Sequence, residues 1–204
     1  MKSNTTQFLF LTFIIISIAA TRLLPHTANF VPVFAMILFA TAHLKNKWNA
    51  IFISIGALWL SDLYINNWGS AAKFFDQYDP ATGQLLVDNF IFIYNPLNYL
   101  GYIMIAFIGI QIFKKSISLP KVFGSSLLAA FVFFLVSNFT VWMGGMMYPL
   151  TFDGLILCYV KAIPFFRTTL ASNIFFSAVL FGGYYLLQKD FNPLKLEHIK
   201  YRFK

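Results

Sequence analysis

Long apolar runs separated by short polar clusters set the pattern of this chain. Six of them read as membrane-spanning helices: about Thr5 to Leu24, Phe30 to Leu44, Trp48 to Ile65, Phe90 to Phe113, Val122 to Met143 and Thr168 to Leu187. A helix needs about 20 apolar residues to cross about 30 Å of hydrocarbon, so the second run is a short or tilted span. Two connections, Asn66 to Asn89 and Gly144 to Arg167, are too long to be mere linkers. The second contains an apolar stretch, Leu155 to Phe166, interrupted by Lys161 and Pro164. As a helix it would reach only about 18 Å, which predicts a re-entrant or interfacial helix in the last outer loop. The pattern as a whole predicts an all-α integral membrane protein with a six-helix domain over residues 1–188 and a basic tail over 189–204. Lys2, the run Phe8 to Ile16 and Ser17-Ile18-Ala19 also resemble a cleavable signal peptide, whose removal would leave five spans.

Composition removes the soluble alternative. The 204 residues are 59% hydrophobic and 11% charged, against about 45–50% and about 25% in soluble domains. Mean hydropathy is +0.70. The net charge of +8 invites a nucleic-acid reading until the cations are placed along the chain. With six spans, Lys2, Lys45, Lys47, Lys114, Lys115, Lys121 and the tail cations Lys189, Lys195, Lys200, Arg202 and Lys204 share one side. Only Arg22, Lys73, Lys161 and Arg167 fall on the other. The positive-inside rule then places both termini in the cytoplasm, and the basic residues face anionic headgroups rather than nucleic acid. The single cysteine, Cys158, excludes an intrachain disulfide or a zinc cluster of thiols and reads as a small buried hydrophobe.

In that topology the intramembrane polar residues are one-sided. Asp62, Asn95, Asn98, Asn138, Thr140, Ser172 and Asn173 all fall in the outer halves of their spans. Polar groups in hydrocarbon usually face a bundle interior or a wet cavity, so the asymmetry predicts an outward-opening pocket. Asp62 needs a cation, and Arg22 is the candidate by depth. Asn95-Pro96 should kink or unwind the fourth span, because proline removes a donor and clashes one turn back. Ser125, Ser126, Ala129 and Ala130 form small-x3-small pairs that suit close helix packing. The loop from Arg22 to Pro32, with Asn29 at its tip, could act as a lid. His26 is a weak metal candidate because His43 and His198 lie on the opposite side, and Asp76 with Asp79 reads as a solvated turn. No cofactor is implied, and no HExxH, GxSxG or P-loop motif is present.

Arg22-Leu-Leu-Pro-His-Thr-Ala-Asn-Phe-Val-Pro, Trp59-Leu-Ser-Asp-Leu, Ser137-Asn-Phe-Thr-Val-Trp142 and the run from Tyr148 to Phe166 resemble an uncharacterised family of bacterial multispanning membrane proteins. The architecture also resembles the S components of energy-coupling-factor vitamin transporters. That likeness implies a bound small molecule and a transmembrane coupling subunit with ATPases as partners. Where S components carry an Ala-x3-Ala patch on the first helix, this chain has Phe8-Leu-Phe-Leu-Thr-Phe-Ile14. The expectation is a small-solute binding protein in the lipid bilayer. Arg22, Asn29, Asp62, Asn95, Asn98, Asn138, Trp142, Tyr148, Lys161, Arg167 and Asn173 are its candidate substrate-binding residues. The alternatives are a membrane enzyme acting on a lipid or isoprenoid, with Asp62 and His26 as acid and base, and a noncatalytic scaffold.

Overall fold

A computed structural model describes residues 2–24, 29–69, 90–93, 95–190 and 200–201. Six α-helices are found among them: α1 (Lys2–Ala20), α2 (Val33–His43), α3 (Lys47–Asn67), α4 (Pro96–Phe113), α5 (Leu119–Met143) and α6 (Phe152–Asp190). A single 3-10 turn, Thr21–Leu23, extends α1, and β1 (Ser116–Ile117) pairs in parallel with β2 (Lys200–Tyr201). Five helices, all but α2, are long and apolar enough to cross a membrane. The expected lid residue His26 and the turn at Asp76 and Asp79 lie outside the described residues.

Every residue of α2 is buried. Its sequence, VFAMILFATAH, has no polar face to turn toward solvent, and a helix that is apolar all round is stable only when surrounded. At eleven residues it rises about 16 Å, so what the pattern presents as a short span is the core of the bundle. Its two polar side chains are satisfied locally. Thr41 donates to the Leu38 carbonyl (2.9 Å) and His43 Nδ1 to that of Phe39 (2.8 Å). Lys47, at the start of α3, donates to the Thr41 and Leu44 carbonyls and closes the last turn.

The contacts fix the direction of each helix. Arg22 meets Leu58, Ser61 and Asp62, so α1 and α3 run parallel. Phe34 packs on Tyr102, and Leu38 and Thr41 face Gly109, so α2 and α4 run parallel. Ser172 donates to the Val31 carbonyl and His43 packs against Tyr184, so α6 follows the same direction. Asn138 meets Cys158 while Ser126 meets Ser177, which makes α5 and α6 antiparallel. Arg22, the start of α2, Asp62 and Asn95 therefore share one end of the bundle, here the Arg22 end.

Two expectations are corrected. Asn95-Pro96 does not kink a span. Asn95 caps α4 by accepting from the Leu97 N–H (3.2 Å), and Pro96 occupies the first turn, where its missing N–H is not needed. Residues 90–93 instead lie along α3, where Asn67 accepts from the Ile91 N–H and donates to its carbonyl. Nor is the Leu155–Phe166 stretch a separate re-entrant helix. It is the first part of α6, a continuous helix of 39 residues and about 58 Å. Thr151 caps its start by accepting from the Gly154 N–H, and Asp153 complements the helix dipole there. Pro164 costs a single hydrogen bond inside this helix, and no second breaker follows it before Thr168.

The α2–α4 seam is closed at Gly109, where a Cβ would collide with the Thr41 hydroxyl and touch Leu38. Gly109→Ala is expected to destabilise the bundle by about 1–3 kcal/mol, the range for overpacking a filled core. The double variant Gly109→Ala with Thr41→Ala should recover part of that loss. Melting temperatures in mild detergent, compared across the three proteins, check this.

Candidate ligand-binding sites

The sequence-predicted polar residues gather into two cavities at the Arg22 end and leave a remainder that joins neither. The first cavity lies between α5 and α6 and has a volume of about 290 Å³. Its origin is geometric. Between the Ser126–Ser177 and Asn138–Cys158 contacts, α5 advances twelve residues and α6 nineteen, roughly 18 Å against 28 Å of helix. Helix α6 therefore takes a longer, oblique path past α5, with Pro164 inside that stretch. The gap is walled by the rings of Phe133, Phe134, Phe165 and Phe166, and its polar groups come from Asn29, Ser137, Asn138, Tyr148, Lys161 and Thr169.

Each of these is positioned by local structure. Asn29 has a left-handed backbone (φ 62°), which asparagine tolerates, just before Val31 is held by Ser172. Asn138 donates from its side-chain amide to the Phe134 carbonyl (2.8 Å), and its backbone carbonyl accepts from Cys158 Sγ (3.4 Å). Tyr148 sits in the α5–α6 loop, which Trp142 pins by donating from its indole to the Pro149 carbonyl (3.0 Å). Trp142 thus shapes the loop and does not line the cavity. Lys161 has no hydrogen-bond or ion-pair partner among the described residues, where the ion pair found is that of Arg22 with Asp62.

That pair belongs to the second cavity, about 130 Å³ between the ends of α1, α3 and α4, lined by Arg22, Asp62, Asn66, Asn95, Asn98, Tyr99 and Tyr102. Arg22 donates to Asp62 Oδ1 at 2.6 Å, to the Leu58 carbonyl and to the Ser61 hydroxyl. Tyr99 donates to the other carboxylate oxygen, Oδ2, at 2.6 Å. The Arg22 and Asp62 side chains are 14% and 23% exposed, so each shields the other from a largely apolar setting. Asn98 Oδ1 is buried with no hydrogen-bond partner among the described residues.

Asn173 and Arg167 join neither cavity. Asn173 is buried deeper in the α5–α6 seam, where it donates to the Ser126 carbonyl (2.6 Å) while its Oδ1 lacks a partner, and Arg167 is exposed. Ser125, Ser126, Ala129 and Ala130 are all buried, as close helix packing requires, and Ser126 donates to Ser177 (2.8 Å). Among the described residues no group of His, Cys, Asp or Glu could hold a metal ion. The sequence reading passed over Tyr99, Tyr102 and Asn66. Their signal was spacing: Asn95, Asn98, Tyr99 and Tyr102 fall on one face of α4, and Asp62 and Asn66 lie one turn apart on α3.

Residues 2–195 match DUF6580, a family of unknown function, and the chain belongs to that family. No curated protein and no solved structure matches the chain. The likeness to S components finds no support in these comparisons.

Asp62→Asn would strand the Arg22 charge. The expected destabilisation lies near the lower end of the about 3–5 kcal/mol lost when one partner of a buried pair is removed. Tyr99→Phe should lose less, about 1.5 kcal/mol, because it deletes one charge-assisted hydrogen bond. Thermal or chemical unfolding in detergent should rank the two variants in that order.

Proposed function

We propose that this protein binds a small organic molecule with an apolar or aromatic body and an anionic group, held in the cavity between α5 and α6. The observation that carries the reading is the cation of Lys161, without a partner among the described residues, on a pocket walled by four phenylalanine rings. Binding pockets are commonly apolar with a few convergent polar groups, and the volume falls at the small end of their range. An anion on the ligand would take Lys161 as countercharge. Asn138 and Tyr148 would fix its orientation.

In this proposal the chain crosses a bacterial cytoplasmic membrane six times with both termini inside, and the cavity opens on the outer face. The one-sided distribution of cations and the alternating helix directions support that path. The sequence has no nucleotide-binding motif, so uptake would draw its energy from a separate coupling subunit with ATPases. The enzyme reading is weaker, because both oxygens of Asp62 are already engaged by Arg22 and Tyr99.

Native mass spectrometry of the purified protein is expected to reveal a retained small molecule that Lys161→Gln and Asn138→Leu both lose. Neither change should unfold the protein, since Lys161 is exposed and the Asn138 side chain bonds within its own helix, to the Phe134 carbonyl. Retention unchanged in both variants would overturn the proposal. For the topology, reporter fusions after Asn46, Ile117 and Lys195 should report cytoplasm, and fusions after Thr27, Tyr78 and Phe152 the outside. A cytoplasmic signal after Tyr78 contradicts the six-span path.

A further inference from the structure

The cavity between α1, α3 and α4 is separate from the one assigned above. Tyr102, on its wall, stacks on Phe133, on the wall of the other, at 5.2 Å with ring planes 2° apart. Its charges cancel, since Arg22 and Asp62 neutralise each other. What remains is uncharged: the carboxamides of Asn66, Asn95 and Asn98 and the phenol of Tyr102. Asn95 already accepts from the Leu97 N–H, which leaves its amide N–H groups as donors. Asn66 and Asn98 add carboxamides that each carry a donor and an acceptor.

A guest must therefore both donate to and accept from these carboxamides within about 130 Å³, the share of roughly four waters. A bare cation or anion can do only one of these. A hydroxyl does both through one atom, and the tyrosine rings offer faces for C–H groups. We infer that this cavity binds an uncharged polyhydroxylated group of about glycerol size, supplied either by a free polyol or by the hydroxylated headgroup of a neutral lipid.

The test uses the full chain in a polyoxyethylene detergent, because sugar-headed detergents would compete. Glycerol and erythritol should raise the melting temperature of wild type along a saturating curve, as ligand linkage requires. Asn98→Leu and Asn66→Leu should shift half-saturation upward by about tenfold or more. Both should keep the linear rise that betaine, which has no hydroxyl, gives in all three proteins. Lys161→Gln should respond as wild type does, so failure here and failure of the α5–α6 reading are distinguishable. A glucosyl-diacylglycerol adduct in native mass spectra, present in wild type and lost in Asn98→Leu, assigns the group to a lipid. Saturation by free polyols with no such adduct assigns it to a solute. The inference is overturned if polyols act equally on wild type and both variants, or if sodium or sulfate gives the saturating shift and polyols do not. If Asn98→Leu fails to fold, Asn66→Leu carries the comparison alone.

Discussion

A short helix with no polar face has one stable place in this protein, and the remaining helices are arranged around it. Helix α2 can neither face water nor reach across a bilayer by itself, so α1, α3, α4, α5 and α6 all pack on it. Close approach is bought by small residues, most sharply at Gly109. Because α2 is short, the bundle is filled at its middle and left incompletely filled beyond the first turn of α2. Phe34, in that turn, contacts both Tyr102 and Phe133, and these two rings form the walls of the two cavities.

The two cavities hold cations of different standing. Arg22 is locked by Asp62 and by the Ser61 hydroxyl, and a guanidinium fork suits that many-handed role. Lys161 is a single point charge on α6 with no described partner. The first arrangement yields a neutral polar cleft. The second yields an apolar pocket with a positive rim. The difference follows from partners that the fold supplies, since both residues are cations at the Arg22 end of the bundle.

Helix α6 carries a proline in its interior without ending there. In water Pro164 would favour a break, but in an apolar setting an unwound segment would expose several backbone groups instead of one. The helix continues through it and runs obliquely past α5. The space so opened is where Lys161 and the phenylalanine rings converge.

Much of this was legible from sequence alone. Length and apolarity mark the helices able to cross a membrane, whereas Asn95-Pro96, which in sequence suggests a kink, proves to be the start of α4. The depth of Asp62 and Arg22 pointed to their pairing, because an intramembrane carboxylate requires a cation. Those features depend on neighbours in the chain or on the bilayer's low polarity, both of which sequence encodes. Tertiary structure alone decided that α2 is core and not a lipid-facing span, since apolar residues look the same against lipid and against protein. It also decided that Asn138 and Lys161 share one cavity while Asn173 and Arg167 stay outside, and that Tyr99 completes Asp62. Each of these depends on how neighbouring helices cross and how far α6 runs obliquely, a consequence of packing volumes that no single segment carries.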